Sequence, residues 1–212
     1  MEKTKGWVVA LLGALGILVS VATYGPALRF SVRGVNDFRT FYPGARLAGS
    51  SEMYDPALVR AVQEETTGKP DRDLPYCRLP YFALLLAPLG RLPYLTAYWI
   101  WEGLCLAAAI AFALLWEVPD RKAVVLTCCW SIPLFGALAV GQDIPLLLLT
   151  IAVSMRLETR QRSFAAGLVF ALCAAKFHLF LLLPLLIVGR RMWRFAAGLL
   201  TGGSVLLALS FL

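Results

Sequence analysis

The sequence is poor in charge. Of its 212 residues 16% are charged and 59% are hydrophobic, whereas an ordinary soluble domain carries roughly a quarter charged residues. Histidine occurs once, at position 178, which argues against a histidine-built metal centre. The five cysteines are scattered: Cys105, Cys128, Cys129 and Cys173 lie in apolar runs and Cys77 in a polar loop. Their spacing matches neither a disulfide framework nor a zinc site. A glycine-rich phosphate loop and a Ser-His-Asp set are also missing. Asp71-Arg72-Asp73 fits a D-x-D nucleotide-sugar motif literally, but its charged surroundings read as a solvated turn. No cofactor and no metal ligand follow from these residues.

What the sequence has instead is long apolar runs, at about 7–29, 93–116, 123–140, 143–155, 163–188 and 195–212. Several approach the roughly 20 residues that cross a bilayer. The expected fold is an all-α integral membrane bundle of about six hydrophobic segments, forming a single transmembrane domain over 1–212. The N-terminal run is longer than a secretory h-region and lacks a clear cleavage site, so it reads as a first span. The net charge of +7 then reflects basic loops and lipid contact, not nucleic acid. Lys3 and Lys5, Arg121 and Lys122, Arg156, Arg160 and Arg162, and Arg190, Arg191 and Arg194 occupy short linkers. Short basic loops mark the cytoplasmic side. The N-terminus is therefore expected inside and loop 30–80 outside, in a plasma (inner) membrane protein.

Run 163–188 conflicts with that topology, because it has basic clusters at both ends. One straight helix would put GRRMWR outside. Two short helices meeting near Lys176 and His178 would return it inside, and short helices are tolerated where they line a protein-enclosed cavity. The spacing favours that hairpin over a single tilted helix with Lys176 in its middle. Gly141-Gln142-Asp143 forms the turn of another outward hairpin.

Loop 30–80 carries two helix signals, and its acidic and basic residues nearly balance. Asn36 or Asp37 could cap a helix through FRTFYPGARLAG, bent near Pro43-Gly44 and suited to the membrane interface. Asp55-Pro56 places a cap before a helix-opening proline, and Gly68 can end that helix. Segment 81–90 is too short to span and reads as partly inserted. An aromatic belt of Tyr94, Tyr98, Trp99 and Trp101 opens the next span, followed by Glu102, read as an interfacial group.

NDFRTFYPGARL, MYDP, RLPYFALLLAPLGRLPYLTAYWIW, GQ before a leucine run, and AGLVFALCAAKFH before LLLPLLIVGRRMWR occur in that order. Together they resemble glycosyltransferase family 87, in the membrane-embedded GT-C superfamily. The resemblance implies a GT-C-like bundle that takes sugar, often mannose, from a polyprenyl-phosphate-linked donor. It implies transfer to a lipid or glycan acceptor on the extracytoplasmic face, with membrane lipids as surroundings. There are departures. Leu79-Pro80-Tyr81 stands where the family commonly has Tyr-Pro-Pro, Asp143-Ile144 where it often has Val-Asn, and Ala175-Lys176-Phe177 where it has Leu-Lys-Pro. Such enzymes usually run to about twice this length, so the chain reads as an N-terminal fragment or a shortened homologue.

The resemblance assigns the base to Asp37, which a plain reading would make a helix cap. A base must reach the acceptor hydroxyl. Arg39, Arg46 and Arg78 are candidates for the lipid phosphate, since a guanidinium suits phosphate oxygens, or for lipid headgroups. Tyr42 lies in the same motif and is counted with the substrate-binding residues. Lys176 and His178 are ionisable groups inside an apolar run, where function is the default reading: Lys176 would meet the phosphate with His178 beside it. Gln142 would bind sugar hydroxyls, or simply make a turn. A rival of another class is a transporter or lipid-binding subunit, since short helices with intramembrane charge also suit substrate pathways.

Overall fold

The computed structural model describes residues 6–68, 74–118 and 120–211. Among these residues the chain is all helix. In order the α-helices are α1 (Gly6–Val32), α2 (Phe38–Arg46), α3 (Pro56–Thr67), α4 (Pro80–Gly90), α5 (Tyr94–Leu115) and α6 (Arg121–Cys129). They continue as α7 (Ile132–Ala139), α8 (Ile144–Thr159), α9 (Ser163–Phe170), α10 (Leu183–Arg190) and α11 (Trp193–Leu209). Short 3-10 segments cover Ser51–Tyr54 and Ala171–Phe180.

Proline divides the apolar runs. Helices α3, α4, α7, α8 and α10 each carry one in the first turn, where its missing N–H costs nothing and its fixed φ is already helical. Asp55 caps α3 as its sequence suggests: its Oδ1 accepts from the N–H groups of Ala57 (2.8 Å) and Leu58 (3.4 Å). Gly68 ends the helix at φ 76°.

By length and apolarity alone α1, α5 and Ser163–Phe180 could cross a membrane, although the last is broken at Lys176, and the α6–α7 pair makes a fourth candidate, bent by 54°. That bend divides the apolar run 123–140 into two helices. The chain stops at Trp130, and Ser131 starts anew by accepting from the Leu134 N–H at 3.3 Å.

The second long run also departs from a straight helix. Lys176 has φ −126° and ψ 84°, outside the helical region. Beyond it the chain reverses. The Phe170 and Phe180 rings meet edge to face at 5.5 Å between centroids, and Leu183 packs back onto Ala166. Helix α11 then runs parallel to α9, with Gly198 against the Phe164 carbonyl and Gly202 against Ala171. Small residues let these backbones approach closely. Segment 163–190 is thus a hairpin with Lys176 at its turn.

The helix directions sort the loops. Asp37 N–H donates to the Val140 carbonyl at 2.7 Å, and the Ser31 hydroxyl donates to that of Ala139, so loop 33–37 meets turn 140–143. The Lys176 turn joins them through its side chain, described below. At the opposite end, Arg156 pairs with Glu117 at 3.2 Å, and Met192 and Leu157 pack beside Ala166 and Phe195. The basic linkers after α5, α8 and α10 therefore share one end of the bundle, and the three polar turns share the other.

Two expectations about the first loop are corrected. Helix α2 does not lie on a surface: Phe38, Arg39, Phe41, Tyr42, Pro43, Gly44 and Ala45 are all buried. It is packed against α4, where Gly90 abuts the Ala45 backbone. The aromatic belt is mostly core as well. Tyr94, Tyr98 and Trp101 are buried around Phe38, and Trp99 alone of the four is exposed. Aromatic residues satisfy a membrane interface and a packed core equally well, and α2 supplies the core. The D-x-D match at Asp71 and Asp73 lies outside the described residues.

Candidate functional site

Asp37 occupies the residue before α2, but its carboxylate caps nothing. Thr40 donates to its backbone carbonyl at 2.7 Å. Asn36 is also diverted: its Nδ2 donates to the Ser31 carbonyl (2.9 Å), and its Oδ1 accepts from the Tyr94 hydroxyl (3.0 Å). The Asp37 carboxylate is left half-exposed and accepts a short hydrogen bond from Gln142 Nε2.

Gln142 connects that acid to a base-rich cluster. Its Oε1 accepts from Lys176 Nζ at 3.4 Å. Lys176 Nζ lies 2.9 Å from Asp143 Oδ1, and Arg78 Nη2 donates to the same oxygen at 3.3 Å; Oδ2, 3.1 Å from that nitrogen, is buried without a hydrogen-bond partner. Asp143 is 1% exposed and Lys176 9%. A charge so deep is tolerated only with partners, and Asp143 has two. The Arg78 guanidinium also donates to the Ala175 carbonyl at 3.2 Å and sits over the Phe41 ring, 5.3 Å from its centroid. Tyr54 holds the Arg78 backbone, its hydroxyl donating to that carbonyl at 2.8 Å.

Each member is aimed by its segment. Gly141 adopts φ 73°, a left-handed conformation that other residues take at a cost. Its carbonyl accepts from Trp101 Nε1 at 2.9 Å. This turn presents Gln142 outward and Asp143 inward. The non-helical Lys176 directs its ammonium across the hairpin to both. The result is a chain of contacts, Asp37–Gln142–Lys176–Asp143–Arg78, drawn from four segments. Two acids and two cations balance, yet the pairing is uneven. Asp143 takes both cations, while Asp37 holds only a neutral amide.

Asp37, Arg78, Gln142 and Lys176 are thus brought together. The other expected residues are not. Arg39 is buried and donates to the Gly68 carbonyl at 2.6 Å, tying α2 to the end of α3. The Tyr42 hydroxyl donates to the Leu92 carbonyl at 2.7 Å; burial pushes this phenol above its usual range, Arg46 partly opposing, so it stays a donor. Arg46 forms an exposed pair with Glu65 at 3.0 Å. His178 is exposed beyond the Lys176 turn, against the Phe177 ring. These four act in packing, in a surface pair or at the hairpin tip, outside the contact chain.

Asp143 was not among the expected residues. Its signal was present in the sequence, a carboxylate entering a leucine run, but the turn reading absorbed it. Glu102 is a second surprise. Oε1 of this supposed interfacial group is buried without a hydrogen-bond partner, facing the Gly141 turn, where an added Cβ would approach it to 3.2 Å. Among the described residues no group of three or more His, Cys, Asp or Glu side chains could hold a metal ion.

A family model for glycosyltransferase family 87 matches residues 80–212. Gln142, Asp143, Lys176 and His178 lie inside the match; Asp37 and Arg78 lie before it. No curated protein and no solved structure matches the chain.

Proposed function

The chain belongs to glycosyltransferase family 87, and from that membership we propose that it moves a sugar, mannose, from a polyprenyl-phosphate donor to a hydroxyl of a lipid or glycan acceptor. Asp37 is the general base, and Lys176 and Arg78 receive the lipid phosphate. One observation carries the reading: the Asp37 carboxylate and the Lys176 ammonium meet opposite ends of the same Gln142 amide. A proton acceptor and a phosphate-sized positive patch are thereby one side chain apart, as the two ends of a displacement at one carbon require.

The acceptor oxygen attacks the anomeric carbon and its proton passes to Asp37. The bond from that carbon to the phosphate oxygen breaks, and the electron pair leaves with the phosphate. The anion is stabilised by Lys176, whose ammonium has three N–H bonds, and by the adjacent Arg78. Preorganised charge at the leaving group lowers the barrier without reorganisation at the moment of reaction. Gln142 keeps acid and cation apart; a direct ion pair would consume the charge that makes Asp37 a base.

The test is transfer of radiolabelled sugar from a polyprenyl-phosphate donor in membranes, wild type against Asp37→Asn. The side-chain oxygen of the introduced amide still accepts from Gln142, so the fold is retained. Transfer falls by about 10³-fold if Asp37 is the base. Unchanged transfer removes it from that role, and no transfer by wild type, with lipid or solute transport present, favours a transporter. The three polar turns face the extracytoplasmic side in this reading, because the basic linkers share the opposite end. Phe177 is 83% exposed at the hairpin tip. With exposed Cys77 replaced by serine, Phe177→Cys should react with an impermeant maleimide added outside; labelling only after permeabilisation reverses the orientation.

A further inference from the structure

The charged cluster holds an acid that the transfer step does not use. Lys176 Nζ at 2.9 Å and Arg78 Nη2 at 3.3 Å both turn to Asp143 Oδ1, while Oδ2 accepts no hydrogen bond. Fixing the turn to the two cations therefore takes one oxygen, which a neutral amide would also supply. What the carboxylate adds is charge, at the cost of burying it. The Arg78 and Lys176 side chains keep a little exposed surface, and Asp143 keeps almost none. An incoming phosphate thus reaches the two cations and feels the carboxylate behind them through its field. At that spot two positive charges and one negative charge leave a single positive charge. The other acid, Asp37, stands on the far side of the Gln142 amide.

A lipid-linked sugar phosphate is a diester and carries one negative charge. When its bond to the anomeric carbon breaks, the electron pair stays on the phosphate oxygen and the acceptor's proton goes to Asp37. The lipid phosphate is then a monoester, with about two negative charges near neutral pH. A site with one net positive charge matches the first anion and not the second. We propose that Asp143 sets this count, so that Lys176 and Arg78 hold a singly charged lipid phosphodiester and give up the doubly charged monoester; this rests on the polyprenyl-phosphate reading above. The discrimination is electrostatic: an extra unit charge a few ångströms from a buried carboxylate weakens binding by about tenfold or more. Both cations still stabilise the departing oxygen, and Asp143 keeps that hold from trapping the product. A diphosphate-linked sugar, which also carries two charges, is disfavoured by the same count.

The experiment measures equilibrium binding of two sugar-free lipids to the purified protein in phosphatidylcholine nanodiscs. One is a polyprenyl monophosphate; the other is its methyl phosphodiester, with the same chain and one charge at every pH used. At pH 7.5 Asp143→Asn should improve the Kd of the monophosphate, relative to that of the diester, by about tenfold or more over wild type. An unchanged ratio overturns the proposal. The introduced amide keeps an oxygen for Lys176 and Arg78. Should the variant not fold, wild type alone decides. Between pH 5.5 and 7.5 the monophosphate loses its second proton, and the ratio should move against it by about fivefold. Two cations without the carboxylate's charge would pull the ratio the other way, so a flat or reversed trend overturns the proposal. Tyr81 and Cys105 lie within electrostatic reach of Asp143, with Asp37, Glu102 and His178 as further titratable neighbours; these act on both lipids, and the ratio reads the second charge. Failure of both lipids to bind wild type overturns the placement of phosphate at Lys176 and Arg78, and this proposal with it, whether or not the same preparation transfers sugar. Absence of transfer by wild type with the ratios as expected is a different result: it sinks the sugar-transfer reading and supports the charge count.

Discussion

The two ends of the bundle handle charge in opposite ways. At the basic end, Arg156 and Glu117 are both substantially exposed and meet at 3.2 Å; water solvates each whether or not the other is present. At the polar end, Asp143 and Lys176 are buried and Arg78 is largely so, and the only charges that meet Asp143 are those two cations. Exposed pairs are worth a fraction of a kcal/mol because solvent competes. A buried charge without its partner costs several. The same residue types therefore make a solvated surface pair at one end and a buried charge cluster at the other.

The contrast can be broken by substitution, and Asp37→Asn should give the largest effect, about 10³-fold in transfer with unfolding unchanged. Next, Asp143→Ala leaves two cations unpaired and should destabilise the fold by about 3–5 kcal/mol, read as detergent thermal unfolding; adding Lys176→Met should recover part of the loss. A fall no larger than that of a surface variant would show the cluster to be hydrated. Gly198→Val tests the framework behind the hairpin. Its side chain collides with the Phe164 carbonyl, so stability should drop by about 1–3 kcal/mol, with loss of α9–α11 crosslinking between introduced cysteines. The smallest effect belongs to Glu117→Ala at the basic end, below about 1 kcal/mol. A loss there comparable to that of Asp143→Ala would erase the distinction between the ends.

Much of this fold was legible because charge and proline act locally. The hairpin at Lys176 followed from basic clusters at both ends of one apolar run, and Asp55-Pro56 announced the start of α3. The burial of α2 was not legible. Its Phe38, Phe41 and Tyr42 look the same facing lipid headgroups or facing Trp101 and Phe82, and only the long-range packing of α4 and α5 decides between them. The site was legible in part. Asp37, Gln142 and Lys176 stand out as polar residues at the edges of apolar segments. Arg39 and Arg46 stand out equally, yet Arg39 serves the carbonyls at the end of α3 and Arg46 serves Glu65. Asp143 was hidden by its neighbours: a residue in a turn looks solvated until the turn is found facing inward.

The distances along the chain between these partners also set an order of synthesis. Arg78 leaves the ribosome 65 residues before Asp143, and Lys176 follows Gln142 by 34. When the 140–143 turn is made, a guanidinium is already present to receive its carboxylate. Lys176, made later still, arrives at a site whose counter-charge is in place. Asp37, made earliest, receives its amide partner 105 residues later. The contact chain from Asp37 to Arg78 is therefore complete only once Lys176 has been made.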